Sequence, residues 1–201
     1  MAGYDKPDFW ALKAKKEGYP ARSVYKLEEI DKKFGLVKSG GATGPRVLDI
    51  GAAPGSWSLW LLRRMAGRGS LAAVDLQNLA ITPPESGFFF IKGDIHDEKI
   101  RAVLRDHGPY DLVVSDAAPG TTGNRLVDQG RSESIVEAVI ALALEVLAPG
   151  GAFTVKIFQG GEEKRLIGEL KNHFAQARAF KPEACRAISF ETYLVATGFR
   201  K

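Results

Sequence analysis

Three charged residues in this sequence stand where ionisable side chains are uncommon. Lys156 lies within an apolar run, Ala152–Phe158, that we expect to form a central strand. A lysine is almost never fully buried without a partner, because its charge is costly to remove from water. Asp116 follows the apolar run Tyr110–Ser115, and Glu191 begins a late run, so these two carboxylates are the candidate partners of Lys156. The alternative is an edge strand from which the ammonium group reaches water.

A second group of residues is typical of a nucleoside-binding site. Gly51 and Gly55 lie in the loop after the run Arg46–Ile50, where glycine lets a ligand approach the backbone. Asp75 ends the next apolar run, where its carboxylate can accept hydrogen bonds from both ribose hydroxyls. Asp94 follows a third run, where an acidic side chain can meet an adenine amino group. Either aspartate alone could be a cap or turn residue, but together they predict an adenosine pocket.

The glycine loop narrows the choice of ligand. It lacks the Gly-x-Gly-x-x-Gly pattern of dinucleotide sites, so a NAD-dependent oxidoreductase loses support. It also lacks the Gly-x-x-x-x-Gly-Lys-Ser/Thr pattern of nucleoside triphosphate sites. S-adenosylmethionine carries no phosphate, and a loop without a basic residue suits it. We therefore expect S-adenosylmethionine to be the cofactor.

The elements that must position these residues alternate along the chain from Arg46 onward. The predicted strands are Arg46–Ile50, Ser70–Asp75, Phe88–Lys92, Tyr110–Ser115 and Ala152–Phe158, with two more near Ala177–Lys181 and Thr192–Thr197. The predicted helices are Ser56–Met65, with Ser56 as its N-cap, Asp97–His107, Arg131–Leu147 and Glu162–Phe174. Alternating strands and helices with apolar strands predict an α/β fold, Rossmann-like, with a mostly parallel seven-stranded sheet and helices on both faces.

Residues 1–45 differ from this pattern. They contain two predicted helices, Pro7–Glu17 and Ser23–Lys33, followed by the glycine-rich stretch Ser39–Gly44. This region is too short to form a core of its own. We expect one domain, in which residues 1–45 are a helical N-terminal extension of a Rossmann-like core over residues 46–201.

Basic residues are concentrated in the two ends of the 201-residue sequence. Residues 1–38 contain nine Lys and Arg against six Asp and Glu, and residues 164–201 contain eight against three. If the fold brings these ends together, they form a surface for a polyanion such as RNA. The candidate phosphate contacts are the N-terminal lysines together with Arg22, Arg178, Lys181, Arg186 and Arg200. The alternative is an ordinary solvated surface.

Other features of the sequence bear on metal binding, membrane association and cellular location. Cys185 is the single cysteine, so there is no internal disulfide, and the three histidines do not have metal-ligand spacing. No apolar run is long enough to cross a bilayer, and the first residues do not resemble a targeting peptide. We expect a cytoplasmic protein without a metal site and without membrane association.

The chain resembles the FtsJ/RrmJ-type ribose 2′-O-methyltransferases. The similarity extends from about Asp8 to Gly198, and the matching motifs occur in the same order along the chain. These motifs are Ser23–Leu27, Asp49–Trp57, Val74–Leu76, Gly93–Asp94, Ser115–Pro119, Leu147–Gly151, Val155–Gly160 and Glu191–Gly198. Two positions depart from the family pattern: Gly120 stands where Asn is frequent, and Phe190 stands where a basic residue is common.

The resemblance implies the fold of class I S-adenosylmethionine-dependent methyltransferases and a Lys-Asp-Lys-Glu catalytic tetrad. Carried over residue by residue, the tetrad is Lys26, Asp116, Lys156 and Glu191. The implied cofactor contacts add Trp57 to Gly51, Gly55, Asp75 and Asp94, and include Asp116 again. Lys26 and Trp57 enter only through the resemblance.

The resemblance also implies a substrate and a reaction. The substrate is RNA rather than DNA, namely a uridine of 23S-type large-subunit ribosomal RNA within a ribosomal particle, and the enzyme acts as a monomer. As a hypothesis, Lys156 accepts the proton of the 2′-hydroxyl, Lys26 and Glu191 position that hydroxyl, and Asp116 orients Lys156 and faces the sulfonium. If Lys156 instead stays charged, it stabilises the developing alkoxide.

Rival functions remain at this point. A tRNA 2′-O-methyltransferase of the same family has the same motifs, and a small-molecule or protein methyltransferase shares the fold. A non-catalytic RNA-binding ribosome-assembly protein would not need a buried lysine.

Overall fold

The computed structural model describes residues 8–38, 41–84, 86–120, 122–186 and 188–200. The strands are β1 (Arg46–Ile50), β2 (Ser70–Asp75), β3 (Phe88–Lys92), β4 (Tyr110–Ser115), β5 (Leu147–Phe158), β6 (Phe174–Phe180) and β7 (Glu191–Phe199). The helices are α1 (Phe9–Glu17), α2 (Val24–Phe34), α3 (Ser56–Met65), α4 (Glu98–Asp106), α5 (Arg125–Val146) and α6 (Glu163–His173).

The strands form one sheet in the order β3-β2-β1-β4-β5-β7-β6. Strands β1 to β5 pair in parallel, whereas β7 lies antiparallel between β5 and β6. The predicted mostly parallel α/β sheet is therefore confirmed. Because β7 runs against its neighbours, its first residue, Glu191, pairs with Phe158 at the end of β5. The start of β7 thus lies at the edge where the parallel strands end.

Both faces of the sheet are covered by helices. On one face, strand residues pack with α4, α5 and α6, through side chains such as Leu104, Val136 and Leu166. On the other face they pack with α2 and α3, through side chains such as Leu27 and Leu61. Strands buried on both sides have apolar residues at successive positions, which explains the continuous apolar runs of the sequence.

The N-terminal helices pack against the sheet domain. α1 begins after Asp8, whose side chain accepts a hydrogen bond from the backbone N–H of Ala11 at 2.9 Å. The predicted helix start at Pro7 lies outside the described residues. Trp10 contacts Tyr25 with ring centroids 5.0 Å apart, so α1 lies on α2. The indole Nε1 of Trp57 donates to the backbone oxygen of Ser23 at 2.9 Å and ties the start of α2 to α3.

Three local predictions are wrong: β5 begins at Leu147 rather than Ala152, and the other two concern the starts of helices. Ser56 is not the N-cap of α3, because Gly55 occupies that position with a left-handed φ of 111°, and the Ser56 hydroxyl accepts from the N–H of Ala21 at 2.7 Å. α5 begins at Arg125 rather than Arg131, because the Asn124 side chain accepts from backbone N–H groups of the first turn.

Candidate active site

A cavity of about 620 Å³ opens where the parallel strands end. This volume lies within the range of about 300–1,000 Å³ that small-molecule sites occupy. Five of the predicted site residues line it, namely Gly51, Asp75, Asp94, Asp116 and Lys156. Apolar side chains from two strands, one helix and the loops after the strands complete the wall, among them Ile50, Val74, Ile95 and Ile135.

Gly51 allows two loops of the cavity wall to touch. Its φ is 77°, and a Cβ at this position would lie 2.6 Å from the Cβ of Ala117. A residue with a side chain would therefore be strained in its backbone and would also collide with the loop after β4. Glycine at this position brings the end of β1 against Asp116 and its neighbours.

The two pocket aspartates also form local turns. Asp75 accepts from the backbone N–H of Ala53 at 2.9 Å and from that of Gln77 at 2.7 Å. Asp94 accepts from the backbone N–H of His96 at 2.9 Å, and this hydrogen bond lowers the pKa of its carboxyl. A carboxylate has about four acceptor sites, so these bonds orient both groups and leave capacity for a ligand. Asp75 and Asp94 can therefore serve as turn residues and still bind a ligand in the cavity.

The four residues of the implied tetrad form two buried ion pairs. Lys26 Nζ lies 2.7 Å from Glu191 Oε1, and Lys156 Nζ lies 3.0 Å from Asp116 Oδ1. Lys156 also donates to the backbone oxygen of Asp116 at 2.6 Å. β5 is a central strand, so the edge-strand alternative for Lys156 is wrong.

The predicted pairing of Lys156 is confirmed for Asp116 and wrong for Glu191. The register of β5 and β7 explains this, because Tyr193 lies opposite Lys156 and Glu191 lies opposite Phe158. The carboxylate of Glu191 is therefore offset along the strand toward α2, where it meets Lys26.

The ion pairs determine the protonation states of Asp116 and Lys26. Burial alone would raise the pKa of Asp116, but the nearby Lys156 and Lys26 outweigh it and hold that pKa below its usual value. Burial alone would lower the pKa of Lys26, but Asp116 and Glu191 outweigh it and raise that pKa above its usual value. Asp116 is therefore a carboxylate and Lys26 an ammonium group at neutral pH.

Tyr193 is a site residue that the sequence analysis missed. Its hydroxyl donates to Asp116 Oδ1 at 2.7 Å, and burial raises its pKa far above the usual value. Alternate residues of a strand share a face, so its position two residues after Glu191 was a usable signal.

Asp49 in β1 is a second missed residue. Its side chain is fully buried, and Oδ2 accepts from the Ser58 hydroxyl at 2.6 Å. Within the described part of the chain, Oδ1 has no hydrogen-bond partner. Burial raises the pKa of this carboxyl to about 7. An aspartate inside an apolar run was visible in the sequence, but its protonation depends on burial that the sequence does not give.

Gly55 and Trp57 are placed differently from the other predicted cofactor residues. They are not among the residues that line the cavity. The Trp57 ring is buried behind the wall, 5.9 Å from the ring of Tyr193. The first N–H groups of a helix are free of helical partners, so a contact between Trp57 and a cofactor would involve its backbone and stays a prediction.

The two basic ends of the chain meet beside the tetrad. Glu29 in α2 accepts from the backbone N–H groups of Glu183 and Ala184 at 2.7 and 2.9 Å. Arg178 lies 5.7 Å from the ring of Phe34. Arg200 does not belong to this surface. It follows the end of β7 at the opposite edge, where it donates to the backbone oxygens of Lys171 and Phe174.

Two kinds of feature are absent from the described residues. These residues contain no helix with the length and apolarity that a membrane span requires. They also contain no cluster of three or more histidine, cysteine or acidic side chains arranged to bind a metal.

Comparisons with known proteins agree on one family. The model of the FtsJ-like methyltransferase family matches residues 19–199. A ribosomal RNA large subunit methyltransferase E from Treponema denticola is 49% identical over 197 residues, which cover 98% of this chain and 97% of that protein. The protein of the same name from Borrelia duttonii is 46% identical over 200 residues, with coverage of 98% and 99%. Among solved structures, a ribosomal RNA methyltransferase from Plasmodium falciparum superposes with a TM-score of 0.74 at 29% identity, covering 90% of this chain and 98% of that one.

Proposed function

Because this chain belongs to the FtsJ-like methyltransferase family, we propose that it transfers the methyl group of S-adenosylmethionine to a ribose 2′-hydroxyl of RNA. The target is a uridine of large-subunit ribosomal RNA, and the protein acts as a cytoplasmic monomer on a ribosomal particle. The observation that carries the proposal is the pair of buried ion pairs, Lys26–Glu191 and Lys156–Asp116, beside a nucleoside-sized cavity. A protein that only binds RNA gains nothing from burying four charges.

The lining of the cavity fits S-adenosylmethionine. Three carboxylates line it, from Asp75, Asp94 and Asp116, and the loop after β1 contributes no basic side chain. This charge pattern suits the cationic sulfonium and ammonium groups of that cofactor and does not suit a phosphate. Asp75 would hold the ribose hydroxyls and Asp94 the adenine amino group. When bound, the cofactor supplies an activated methyl group.

The tetrad would hold the 2′-hydroxyl in line with that methyl group. A lysine ammonium has three donor hydrogens, and Lys156 uses two of them on Asp116. The third can meet the ribose oxygen, and Lys26, fixed by Glu191, can meet it from the side of α2. Alignment of reacting atoms can contribute about 7–11 kcal/mol. Lys156 then either accepts the hydroxyl proton or, as an ammonium group, stabilises the alkoxide.

Methyl mapping tests the proposal. The purified protein is incubated with methyl-labelled S-adenosylmethionine and large ribosomal subunits that lack 2′-O-methyl groups, and the modified nucleotide is mapped in the RNA. We expect label in an alkali-resistant dinucleotide at a uridine. Label on a base would contradict the proposed 2′-O-methyl transfer. Label in transfer RNA but not in large subunits would contradict ribosomal RNA as the substrate.

The Lys156→Arg variant tests the base role in the same assay. Arginine keeps the positive charge but does not deprotonate in proteins, and general base catalysis contributes about 10²–10⁴-fold. We expect kcat to fall by at least about 100-fold while cofactor affinity is kept. The exposed Lys164→Arg serves as the matched control. A near-normal kcat for Lys156→Arg would exclude Lys156 as the proton acceptor. Its remaining role would be to stabilise the alkoxide as an ammonium group.

A further inference from the structure

An aromatic platform adjoins the tetrad, and its residues do not line the cofactor cavity. It consists of Phe190, Phe158 and Arg125. The rings of Phe190 and Phe158 meet edge to face with centroids 4.9 Å apart, and the Arg125 guanidinium lies 5.5 Å from the centroid of Phe190. Phe190 directly precedes Glu191 of the tetrad. The platform therefore adjoins the place where the ribose must bind.

Hydrogen bonds of the surrounding backbone hold the platform in place. The backbone N–H of Gln159 donates to the backbone oxygen of Phe190 at 2.7 Å. The backbone N–H of Phe158 donates to the Ser132 hydroxyl in α5 at 3.1 Å. Phe158 is also paired with Glu191 in the sheet. Three segments of the chain are thus fixed to one another, and the two rings belong to a rigid support.

The chemistry around the platform differs from that of an ordinary solvated surface. Phe190 is only half-buried, and two neighbouring aliphatic side chains, Leu126 and Ile188, are 80% and 82% exposed. The cationic group in the platform, Arg125, is also exposed. Partly exposed aromatic rings beside an arginine are groups on which unpaired nucleobases stack. A positive charge also suits the phosphate next to such a base.

We propose that the aromatic platform stacks a nucleobase of an unpaired RNA segment next to the methylated ribose. The inference rests on the proposed function, since it takes RNA as the substrate of the adjoining tetrad. Stacking fixes the neighbouring nucleotide and so sets which ribose enters the tetrad. The platform is a positioning site for substrate and takes no part in the methyl transfer itself.

Two measurements test the platform. The first is the anisotropy of a fluorescein-labelled ten-nucleotide single-stranded oligoadenylate, compared with an abasic RNA of the same length. We expect Phe190→Ala to weaken oligoadenylate binding by about 5- to 150-fold, the usual range for loss of one stacked base. Binding of the abasic RNA should not change. The second is methyl transfer to large ribosomal subunits, where KM should rise with little change in kcat.

Two variants serve as controls. Phe190→Trp keeps a stacking surface and should restore both affinity and KM. Phe9→Ala removes another exposed ring, 70% exposed on α1, and should change neither. The salt dependence of binding should be the same for Phe190→Ala and the wild type, because no phosphate contact is lost.

The outcomes of these experiments distinguish the platform proposal from the proposed methyltransferase function. Unchanged affinity and KM in Phe190→Ala, with normal methyl transfer by the wild type, would overturn the platform alone. Equal loss of affinity for the abasic RNA would also overturn it, because the ring would then act through folding or charge. Absence of RNA methylation by the wild type would instead contradict the proposed function.

Discussion

At the scale of single residues, the site contains buried carboxyl groups in two different states. Asp116 is held as a carboxylate by two lysines, whereas Asp49, nearby in β1, has one hydroxyl donor and an oxygen without a partner in the described chain. A buried carboxyl group without a counter-ion favours its neutral form. The negative charges of Asp116 and Asp75 add to this effect. The protein thus contains one carboxyl group with a pKa of about 7 near another that stays charged.

The Asp49→Asn variant tests this assignment through stability. The pKa of Asp49 is raised from 3.8 to about 7 on folding, so between these values the folded protein holds a proton that the unfolded chain has lost. The free energy of unfolding therefore falls as the pH rises through that window. Asparagine removes this contribution. The difference in free energy of unfolding, variant minus wild type, should increase by about 2–3 kcal/mol between pH 5 and pH 8.

Urea denaturation followed by tryptophan fluorescence measures this difference. The exposed Asp106→Asn is the matched control and should give parallel curves. If Asp49→Asn also runs parallel to the wild type over this range, the carboxyl group is ionised in the folded protein.

The sequence revealed those site residues that violate a local pattern. Lys156, Asp116 and Glu191 were found because ionisable groups interrupt or adjoin apolar runs. Lys26 was not found in this way, because lysine is common on an amphipathic helix and its burial comes only from packing. The partner of Lys156 could be predicted only in part, since partner choice depends on the register between β5 and β7. Register follows from the hydrophobic pattern and from the turn that connects two strands, but β5 and β7 are separated by α6 and β6, so no short turn fixes their pairing.

At the scale of elements, the loop after β1 forms one part of the wall of the cofactor cavity. The strands were predictable because burial on both faces makes them continuously apolar, and the core helices were predictable apart from their ends. The ends depend on single contacts, such as the Asn124 cap that lengthens α5. Gly51 has a left-handed backbone and lies so near Ala117 that an added Cβ would be 2.6 Å from the Cβ of Ala117.

The Gly51→Ala variant tests the role of that close approach. A left-handed backbone costs a residue with a Cβ about 1–2 kcal/mol, and overpacking adds about 1–3 kcal/mol. We therefore expect a loss of about 2–5 kcal/mol in free energy of unfolding together with weaker cofactor binding. Gly35→Ala is the matched control, because its φ is 62° and its added Cβ meets no described atom within 4 Å.

Denaturation and titration calorimetry with S-adenosylmethionine measure these two effects. Gly35→Ala should lose only about 1–2 kcal/mol and keep its cofactor affinity. If Gly51→Ala is no worse than Gly35→Ala in either measurement, the close approach to Ala117 is not required.

At the scale of the whole molecule, the fold brings basic residues from the first and last segments of the chain onto one surface. The basic first and last segments meet through Glu29 and the backbone at Glu183 and Ala184. The segment that carries Arg178 and Lys181 thereby lies against α2, which also carries Lys26. Charge counts predicted an RNA-binding surface at the chain ends, but they could not exclude Arg200, which lies at the opposite edge of the sheet.

The salt dependence of RNA binding tests this surface. Each phosphate contact to single-stranded RNA contributes about 0.7 to the slope of log affinity against log salt. The double variant Arg178→Gln/Lys181→Gln should therefore bind oligoadenylate more weakly, with a slope reduced by about 1.4. Lys164→Gln/Lys171→Gln, on α6 at the other face, is the control and should leave the slope unchanged. Equal slopes for both double variants would place the RNA elsewhere.

The position of β7 affects the order in which the protein folds during its own synthesis. β7 is the last of the seven strands to be translated, yet it lies between β5 and β6. Until it inserts, both of those strands present an open edge, which is a hazard for aggregation. The residues that line the cavity, from Ser23 to Lys156, all precede β7 in the chain, whereas Glu191 is its first residue. A nascent or C-terminally clipped chain would therefore contain the cavity residues without a complete tetrad, and catalytic competence would arise in the step that closes the sheet.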